Sequence, residues 1–406
     1  MSAMQQVDFD IARARSETPG CRHVVHFNNA GAALMPQPVI NAVGDYLRLE
    51  ASIGGYEAAE QAHDKIDQVY DLAAQLVGCA RNEIAIVENA TRAWDMAFYS
   101  IPFKAGDRIF TSMAEYASNY IPFLQVQKRI GVTIEIVPND EHGQLSLDAL
   151  KEMADDDVRL IAITHVPTNC GLVNPADEIG KVARRVNALY LLDACQSVGQ
   201  MPIDVERIGC DMLSATSRKF LRGPRGVGFL YVRSSLIGEL EPPFLDLHAA
   251  RWVNRKQYEI RSDARRFENW EANYAANVGL GAAISYSLEW GLDDIWRRVR
   301  FLGDTLREKL GEIPGITVHD LGAVKCGIVA FSLAGWDAEA VRRALRRGNI
   351  NVSVARKEHT LLDMASRGLD TFVRASIHYY NSEDEIDRFY KTLKSIGGSP
   401  NTAGRY

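Results

Sequence analysis

Short apolar runs alternate with helical patterns along residues 65–235. The runs are rich in Ile, Val and Leu and show no polar alternation, which is typical of strands covered on both faces. Predicted strands are 83–87, 108–111, 133–137, 160–164, 189–192, 212–215 and 227–232, and predicted helices include 65–76, 93–100, 120–129 and 176–185. This alternation predicts an α/β fold whose seven-stranded sheet is mainly parallel, with right-handed crossovers.

The pattern changes after residue 270. Residues 274–310 predict a long amphipathic helical segment, which leads into a smaller α+β domain with an antiparallel sheet. Predicted strands there are 316–319, 327–332, 351–354 and 372–377, and predicted helices are 338–347 and 382–396. We therefore expect an N-terminal arm at 1–25, a large domain at 26–270 and a small C-terminal domain at 271–406, with a loose end at 397–406.

Composition narrows the classes of function. A chain of 406 residues suggests two or three domains. No membrane helix is predicted because no apolar run approaches about 18 residues, and no signal peptide because the first residues lack a basic start before an apolar stretch. A net charge of -6 disfavours a nucleic-acid partner. Six scattered cysteines without a Cys-x-x-Cys motif argue against a metal site or a disulfide framework and favour the cytoplasm.

A lysine and an aspartate give the first indication of chemistry. Asp193 ends the apolar run at 189–192, and Lys219 follows the next predicted strand in a glycine-rich segment. Ligands of such sheets bind at the carboxyl ends of the strands. Pyridoxal phosphate (PLP) needs a lysine for its Schiff base and an acid that keeps its pyridinium nitrogen protonated. The pair therefore predicts PLP as the cofactor; the alternatives are a surface lysine and a helix-capping aspartate.

The cofactor phosphate needs a helix N-terminus and several hydrogen-bond donors. Asn89, Ala90 and Thr91 lie between a predicted strand and a predicted helix and are candidates for this site. Thr91 is also a candidate N-cap, a role that is compatible with phosphate binding. Thr216 and Arg218, close to the lysine, are further candidate phosphate ligands.

Three side chains are candidates for contacts with the cofactor ring and the substrate. Tyr116 follows the strand at 108–111 and could stack on the pyridine ring, and Gln196 could reach the phenolic oxygen of that ring. Arg374 lies in an apolar run, and a buried arginine needs an anionic partner. A substrate carboxylate held by the guanidinium fork would supply that partner. Ordinary packing for Tyr116 and a structural salt bridge for Arg374 stay open as alternatives.

These residues together resemble the class-V aminotransferase family of fold-type-I PLP enzymes, which includes cysteine desulfurases and isopenicillin-epimerase-like proteins. The likeness covers about 26–389, and its most specific matches are 193–196 and the lysine loop. It implies the PLP-dependent transferase fold of type I, a small-molecule amino-acid substrate and a homodimer with shared active sites.

The resemblance also implies roles for individual positions. Asn29, Ala30 and Gly31 lie in a segment similar to the family's substrate loop, and Arg374 matches its carboxylate-binding arginine. Thr168, or Asn169 by a one-residue shift, matches the position beside the phenolic oxygen. Loops at 26–31 and 354–359, with 248–252 of the partner subunit, are expected to select the substrate side chain.

Two positions depart from the family pattern. The residue before the lysine is usually His, and the Arg218 found here should still serve a phosphate. The segment 266–271 resembles one that reaches the phosphate of the neighbouring subunit, usually through a Thr. Glu271 stands at that position, which leaves this contact open.

The predicted reaction follows from a missing cysteine. Desulfurases resemble one another in a loop with a nucleophilic Cys shortly before the arginine strand, and residues 351–373 contain none; the nearest, Cys326, starts a predicted strand. A persulfide-forming desulfurase is therefore disfavoured. The lysine segment looks most like that of lyases that cleave hercynylcysteine sulfoxide, which predicts a C–S β-lyase acting on an S-substituted cysteine or its sulfoxide. A class-V aminotransferase, an amino-acid epimerase and a non-enzymatic PLP-fold protein are the alternatives.

Overall fold

The computed structural model describes residues 9–397. The parts of the predicted arm at 1–8 and of the predicted loose end at 398–406 lie outside the described residues. The chain begins with helices and one two-residue strand that later pairs with the C-terminal part of the protein. These elements are α1 (Ile11–Ser16), β1 (Val25–His26), α2 (Gln37–Ile53), α3 (Gly55–Gln61) and α4 (His63–Val77).

Seven strands form the large sheet, in the order β2-β8-β7-β6-β5-β3-β4. Strand β8 is antiparallel to both of its neighbours, and the other pairs are parallel. Every strand lies close to its predicted position, so the prediction of a mainly parallel seven-stranded sheet is confirmed. The strands are β2 (Ile84–Val87), β3 (Arg108–Ser112), β4 (Thr133–Val137), β5 (Val158–Thr164), β6 (Leu189–Asp193), β7 (Met212–Thr216) and β8 (Gly228–Val232).

Helices cover both faces of this sheet, which explains why its strands lack polar alternation. Successive side chains of a strand point to opposite faces, and Leu191 and Leu192 accordingly belong to two different core clusters. Residues of α4 pack in one cluster, and residues of the helix after β2 pack in the other. The helices here are α5 (Ala90–Tyr99), α6 (Ala117–Ile130), α7 (Leu147–Met153), α8 (Ala176–Arg185), α9 (Val205–Ile208) and α10 (Ser234–Ile237).

A hairpin and two long helices connect the sheets: β9 (Ala250–Asn254), β10 (Gln257–Ile260), α11 (Tyr274–Trp290) and α12 (Leu292–Gly311). The segment predicted as one helical stretch at 274–310 is broken at Gly291, whose φ of 77° lies in the region that glycine tolerates best. Although α12 spans 20 residues, none of the described helices is long and apolar enough to cross a membrane.

The C-terminal part contains a four-stranded antiparallel sheet in the order β11-β12-β15-β14, as predicted. The strand that carries Arg374 has a central position in this sheet and lies near the carboxyl ends of the strands of the large sheet. The domain boundaries at 25 and 270 stay a prediction. The elements are β11 (Ile316–Val318), β12 (Ile328–Leu333), α13 (Ala338–Arg347), β13 (Ile350–Asn351), β14 (Ser353–Arg356), α14 (Leu361–Ser366), β15 (Thr371–Ser376) and α15 (Glu383–Gly397), and short 3-10 helices occur at Pro19–Arg22, Arg81–Glu83, Ala264–Phe267 and Lys357–His359.

Candidate active site

A cavity of about 340 Å³ lies where the loops after β3, β5 and β7 meet β14 and β15. Its volume is within the range of small-molecule sites. The large sheet contributes Tyr116, Thr168, Arg218, Lys219 and Arg225 to its walls. The N-terminal loop contributes Asn28, Ala30, Gly31 and Ala32, and the C-terminal part contributes Ser353, Val354, His359 and Arg374.

Lys219 lies on a tight loop that is closed by backbone hydrogen bonds. The amide of Gly223 donates to Ser217 O at 3.0 Å, and the amide of Arg222 donates to Lys219 O at 3.0 Å. A Cβ on Gly223 would lie 2.1 Å from Ser217 Oγ, so this close approach requires glycine. Burial lowers the pKa of the Lys219 amine, which favours its neutral, nucleophilic form.

Arg222 fixes the lysine loop to the rest of the protein. Its guanidinium donates to Leu34 O at 2.9 Å, to the Tyr379 hydroxyl at 2.5 Å and to Thr18 Oγ1 at 2.5 Å. The group also lies 4.4 Å from the ring centroid of Tyr380. These contacts come from three separate segments, so the loop is held rigidly relative to the N-terminal arm and to the segment after β15.

Asp193 is buried at the end of β6 and is oriented by two donors. Its Oδ1 accepts the amide of Cys195 at 2.9 Å, and its Oδ2 accepts Asn119 Nδ2 at 2.9 Å. A carboxylate has about four acceptor positions, so lone pairs remain for a ligand. The geometry suits a carboxylate that holds a protonated ring nitrogen.

We expect Asp193→Asn to lower turnover by about 10- to 100-fold, because a hydrogen bond to a charged group contributes about 1.5–3 kcal/mol and each 1.4 kcal/mol changes a rate about tenfold. Steady-state kinetics of PLP-loaded protein would measure this loss. Asp211→Asn is the matched control, since Asp211 is a partly buried carboxylate that accepts the amide of Tyr190 at 2.8 Å outside the cavity. Equal losses in both variants would contradict a role at the site.

A second buried carboxylate, Glu115, stands behind Asp193. Asn119 Nδ2 donates to Glu115 Oε1 at 2.9 Å as well as to Asp193, so one amide joins both carboxylates. Thr111 and Thr164 hydroxyls and the amides of Tyr116 and Thr164 also donate to Glu115. Burial raises the pKa of Glu115 to about 6 although these donors favour the ionised form.

Glu115→Gln should change the pH dependence of stability. Because the folded pKa of about 6 exceeds the ordinary 4.5, the folded protein binds this proton more tightly. The contribution is present below about pH 4.5 and is lost as the pH rises through about 6, by about 2 kcal/mol. In denaturant unfolding of the apoprotein, the wild type should therefore lose about 2 kcal/mol of stability relative to the variant between about pH 4.5 and about pH 7. A constant difference, or the same change in the exposed control Glu152→Gln, would contradict this.

Helix α5 presents its N-terminus to the same region. Asn89 is the N-cap, and its side chain accepts the amide of Arg92 at 2.9 Å, so the expectation that Thr91 could cap the helix is wrong. The first amides of a helix have no partner within it, which leaves those of Ala90 and Thr91 available for an anion. Gly228 lets strand β8 lie close to the start of this helix, since a Cβ at position 228 would lie 2.4 Å from Ala215 O and 3.4 Å from Ala90 N.

The two candidate phosphate ligands near the lysine differ in position. Thr216 is the buried last residue of β7. Arg218 lines the cavity and donates from Nη1 to Gly31 O, which places its guanidinium on the substrate-loop side. Burial, followed by the charge of Arg225, lowers the pKa of Arg218. A phosphate contact by Arg218 stays a prediction.

Gln196 and Thr168 meet beside the cavity. Gln196 Nε2 donates to Thr168 Oγ1 and to Ala30 O, both at 3.2 Å, and its amide oxygen is buried without a partner within residues 9–397. Asn169 instead donates to Thr360 Oγ1 at 2.8 Å and lies away from the cavity. Of the two residues considered for the phenolic oxygen, the structure therefore brings Thr168 to the cavity.

Arg374 is 7% exposed and has no carboxylate partner among residues 9–397. Nη1 donates to Thr168 O at 2.9 Å and to Thr168 Oγ1 at 2.8 Å, Nη2 reaches Asn28 Oδ1 at 3.4 Å, and Nε is unpaired. Burial lowers the pKa of Arg374 to about 10, so the group is still a cation at neutral pH. A buried cation without an anion favours the carboxylate-binding interpretation over a structural salt bridge.

The predicted substrate loop reaches the cavity with a different asparagine. The Asn29 side chain is fully buried and donates to Ser376 O at 2.7 Å, so it holds the loop to β15 instead of facing the cavity. Asn28, which the sequence did not single out, lies there with Ala30 and Gly31. The direction of a side chain in an irregular loop depends on tertiary contacts, so no local signal distinguishes these neighbours.

Other lining residues were also missed or only partly anticipated. Nothing in the sequence indicates a role for Arg225 or Ser353 at the site, whereas His359 belongs to the loop 354–359 that is expected to select the substrate side chain. Glu115 and Asn119 lie close to Tyr116 in the sequence but had no predicted role. Glu271 is exposed on this chain, which leaves its role toward a partner a prediction.

The residues present fit PLP. The unpaired Nε of Arg374 suits a carboxylate at one end of the cavity, and the open amides of Ala90 and Thr91 suit a phosphate. Lys219, with its lowered amine pKa, lines the same cavity as Arg374, and the Asp193 carboxylate is close enough to interact electrostatically with the amine. An amine, a carboxylate and an anion site in this arrangement match the three polar groups of the cofactor.

Comparisons with known proteins agree with this interpretation. A family model of aminotransferase class-V matches residues 25–389. A probable cysteine desulfurase of Methanothermobacter thermautotrophicus is 30% identical over 391 residues, which cover 95% of this chain and 97% of that protein. A probable cysteine desulfurase of Pyrococcus abyssi is also 30% identical and covers 94% of this chain and 96% of that protein.

Solved structures agree on the fold. The cysteine desulfurase of Thermococcus onnurineus NA1 superimposes with a TM-score of 0.89 at 27% identity, over 95% of this chain and 97% of that one. C-DES with glycine covalently linked to its PLP cofactor gives a TM-score of 0.84 at 23% identity, over 94% and 98%. The expectation of fold type I is confirmed.

These findings correct the predicted reaction. The argument that disfavoured a persulfide-forming desulfurase and preferred a C–S β-lyase on an S-substituted cysteine is wrong, because relatives that match almost the whole chain are named cysteine desulfurases. The lack of a cysteine at 351–373 was too narrow a criterion. The likeness to hercynylcysteine sulfoxide lyases stays a prediction. Since the family model spans nearly the whole chain, the chain belongs to the aminotransferase class-V family, whose cofactor is PLP.

Proposed function

We propose that this protein removes the sulfur atom of L-cysteine in a PLP-dependent reaction that leaves alanine. The observation that carries the proposal is the buried guanidinium of Arg374, which faces the same cavity as Lys219 and lacks a carboxylate among residues 9–397. That pairing suits an α-amino acid, whose carboxylate and amine it would hold. The names of the relatives support cysteine as the amino acid.

The side chains divide the work of binding and proton transfer. Arg374 would hold the α-carboxylate through its unpaired Nε and thereby place Cα near Lys219. Lys219 would take the proton from Cα in its neutral form, which burial favours by lowering the pKa of the amine. Bound PLP supplies the electron sink for this chemistry. Tyr116 would cover the ring, and Asp193 would keep the ring nitrogen protonated.

The phenolic and phosphate ends of the cofactor have separate candidates. Thr168 accepts two hydrogen bonds through Oγ1, so its own hydroxyl proton is left for an acceptor in the cavity. Ala90 and Thr91 would bind the phosphate through backbone amides, with Thr216 and Arg218 as additional donors.

The test is product analysis with L-cysteine and excess dithiothreitol. We expect alanine and sulfide in equal amounts, with no accumulation of pyruvate. Pyruvate and ammonia in place of alanine would contradict the proposal, because they mark elimination of the sulfur group. Absence of any product from PLP-loaded protein would contradict it as well.

We also propose that the protein works as a homodimer in the cytoplasm. Large apolar side chains are exposed on and around the hairpin β9–β10, including Trp252 at 80% and Leu247 at 69%, and apolar patches of this kind mark interaction surfaces. All six cysteines are free, which suits a reducing compartment. Sedimentation equilibrium should give twice the chain mass, and a monomer would contradict the dimer.

A further inference from the structure

The cavity at Lys219 contains no thiol from this chain, although a desulfurase needs one to accept the sulfur. None of the six cysteines lines it. Cys170, Cys210 and Cys326 are at most 1% exposed and lie in apolar clusters. Cys21 and Cys79 pack against core clusters away from the cavity.

Cys195 follows the site residue Asp193 closely in the chain, and it is poorly suited to accept sulfur. Its amide donates to Asp193 Oδ1 at 2.9 Å, so it lies next to the buried carboxylate. Burial, followed by the charge of Asp193, raises the pKa of the Cys195 thiol well above its usual value. The thiolate is the nucleophile, and a neighbouring carboxylate opposes its formation.

We propose that the sulfur acceptor is a small-molecule thiol that carries a negative charge, enters this cavity beside His359 and is held by Arg225. The inference rests on the proposed desulfurase function. The thiol would be the second substrate of that reaction. Arg225 and His359 would bind and deprotonate it, and neither residue has a proposed role toward the α-carboxylate, the cofactor or the Cα proton.

The charge of the cavity favours an anion in addition to the α-carboxylate. Arg218, Lys219, Arg225 and Arg374 line it, and none of its lining residues is acidic. Arg374 would hold the amino acid, and Arg218 bonds to Gly31 O. Arg225 is exposed, and its guanidinium makes no hydrogen bond or ion pair within residues 9–397. It is therefore free to bind an anionic group.

His359 is placed to deprotonate the incoming thiol. Its half-buried imidazole lines the cavity with Arg374 and has no hydrogen bond within the described residues. Burial lowers the pKa of His359, and Arg374 and Arg356 lower it further, against the opposing effect of Glu358. A neutral imidazole can act as a general base near neutral pH.

The transfer balances with cysteine and the thiol as its only consumed reactants. His359 takes the proton of the external thiol, and the resulting thiolate attacks Sγ of the substrate. An S–S bond forms, the Cβ–Sγ bond breaks, and its electron pair stays on the carbon skeleton. Cβ then gains a proton, so cysteine and the thiol become alanine and a persulfide of that thiol. The sulfur is oxidised as the carbon is reduced, and no further oxidant is needed.

The acceptor is tested with three small thiols that differ in charge and carry no primary amine, mercaptopropionate, mercaptoethanol and thiocholine, compared at equal thiolate concentration. The rate of alanine formation should be about two- to fivefold higher with the anionic thiol than with the cationic one, the range of a solvent-exposed ion pair. Arg225→Gln should remove this preference, so that the variant's rates with the anionic and the cationic thiol become equal. Equal rates with all three thiols on the wild type would overturn the anion site.

Mass spectrometry separates failure of this inference from failure of the proposed function. In single turnover we expect the extra sulfur atom on the small thiol and none on the protein. Alanine formed without any external thiol, with sulfur retained on one of the six cysteines, would overturn the inference and leave the desulfurase function standing. No alanine with any of the three thiols would overturn both.

His359→Gln tests the base. The loss of rate near neutral pH should disappear when the pH exceeds the pKa of the thiol, because the acceptor is then already ionised. A loss of the same size at every pH would assign His359 a structural role and overturn its part in the transfer. The absorbance of bound PLP serves as the folding control for this variant.

Discussion

Replacing Lys219 with alanine should abolish the absorbance of protein-linked PLP and slow alanine formation by at least about 10²- to 10⁴-fold. In the proposed function the amine attaches the cofactor covalently and takes the Cα proton, and loss of a positioned acid–base group costs that factor. Burial lowers the pKa of the amine, which favours its neutral and reactive form. Absorbance spectra and alanine production of the PLP-reconstituted variant measure the two effects independently.

Lys128→Ala is the matched control, since Lys128 is an exposed lysine in the last turn of α6, far from the cavity lining. It should retain both the spectrum and the rate. If Lys219→Ala kept the absorbance of protein-linked cofactor, another lysine would have to be the attachment point, and the assignment of this cavity as the active site would be wrong.

The large sheet was predictable from the sequence because its interior strands are covered on both faces. Residues such as Leu191 and Leu192 are apolar in succession, which only a strand between two helical layers requires. Elements with weak patterns were missed. The hairpin at β9–β10 carries exposed Trp252 and Tyr258, so its large apolar side chains are not buried within the described part of this chain.

The site was predictable where a residue's chemistry conflicts with its surroundings. Asp193 and Arg374 are charged residues in apolar runs, and each such conflict indicates a ligand. Asn28, Arg225 and His359 are polar residues in loops, where nothing local opposes their presence. Only the tertiary structure, which brings three separate segments to one cavity, assigns them to the site.

The reaction was the weakest prediction, and the reason is physical. The missing cysteine at 351–373 excludes one attacking group at one place, but breaking the Cβ–Sγ bond needs only some thiolate within reach of Sγ. A motif that supplies a nucleophile from the chain is therefore informative when present and inconclusive when absent. Residues that bind the amino acid and move its Cα proton are required whether or not the chain supplies the thiolate. Lys219 and Arg374 are the residues that the sequence indicates for these roles.

Arg374→Ala should raise KM for L-cysteine by about 30-fold to several thousand-fold, because loss of one partner of a buried charge pair costs about 2–5 kcal/mol. The guanidinium is the buried cation at the cavity without an anion, and Thr168 fixes its orientation through bonds of 2.8 and 2.9 Å to Nη1. Arg374→Lys should recover only part of this loss, since an ammonium cannot reproduce the planar fork. Initial rates over a range of cysteine concentrations measure the effect.

The decisive comparison replaces the substrate cysteine with cysteamine, which is cysteine without its carboxylate. If Arg374 binds the carboxylate, the wild type should strongly prefer cysteine over cysteamine. Arg374→Ala should lose that preference, because the variant lacks the guanidinium that binds the carboxylate present only in cysteine. A structural role predicts the opposite pattern, with equal losses for both amines and a lower stability of the apoprotein. Since the buried cation lacks an anion before substrate binds, its removal should not destabilise the apoprotein as breaking a buried ion pair would. A variant that kept the preference for cysteine would contradict the assignment of Arg374 and would require another cation on the cavity wall, such as Arg218.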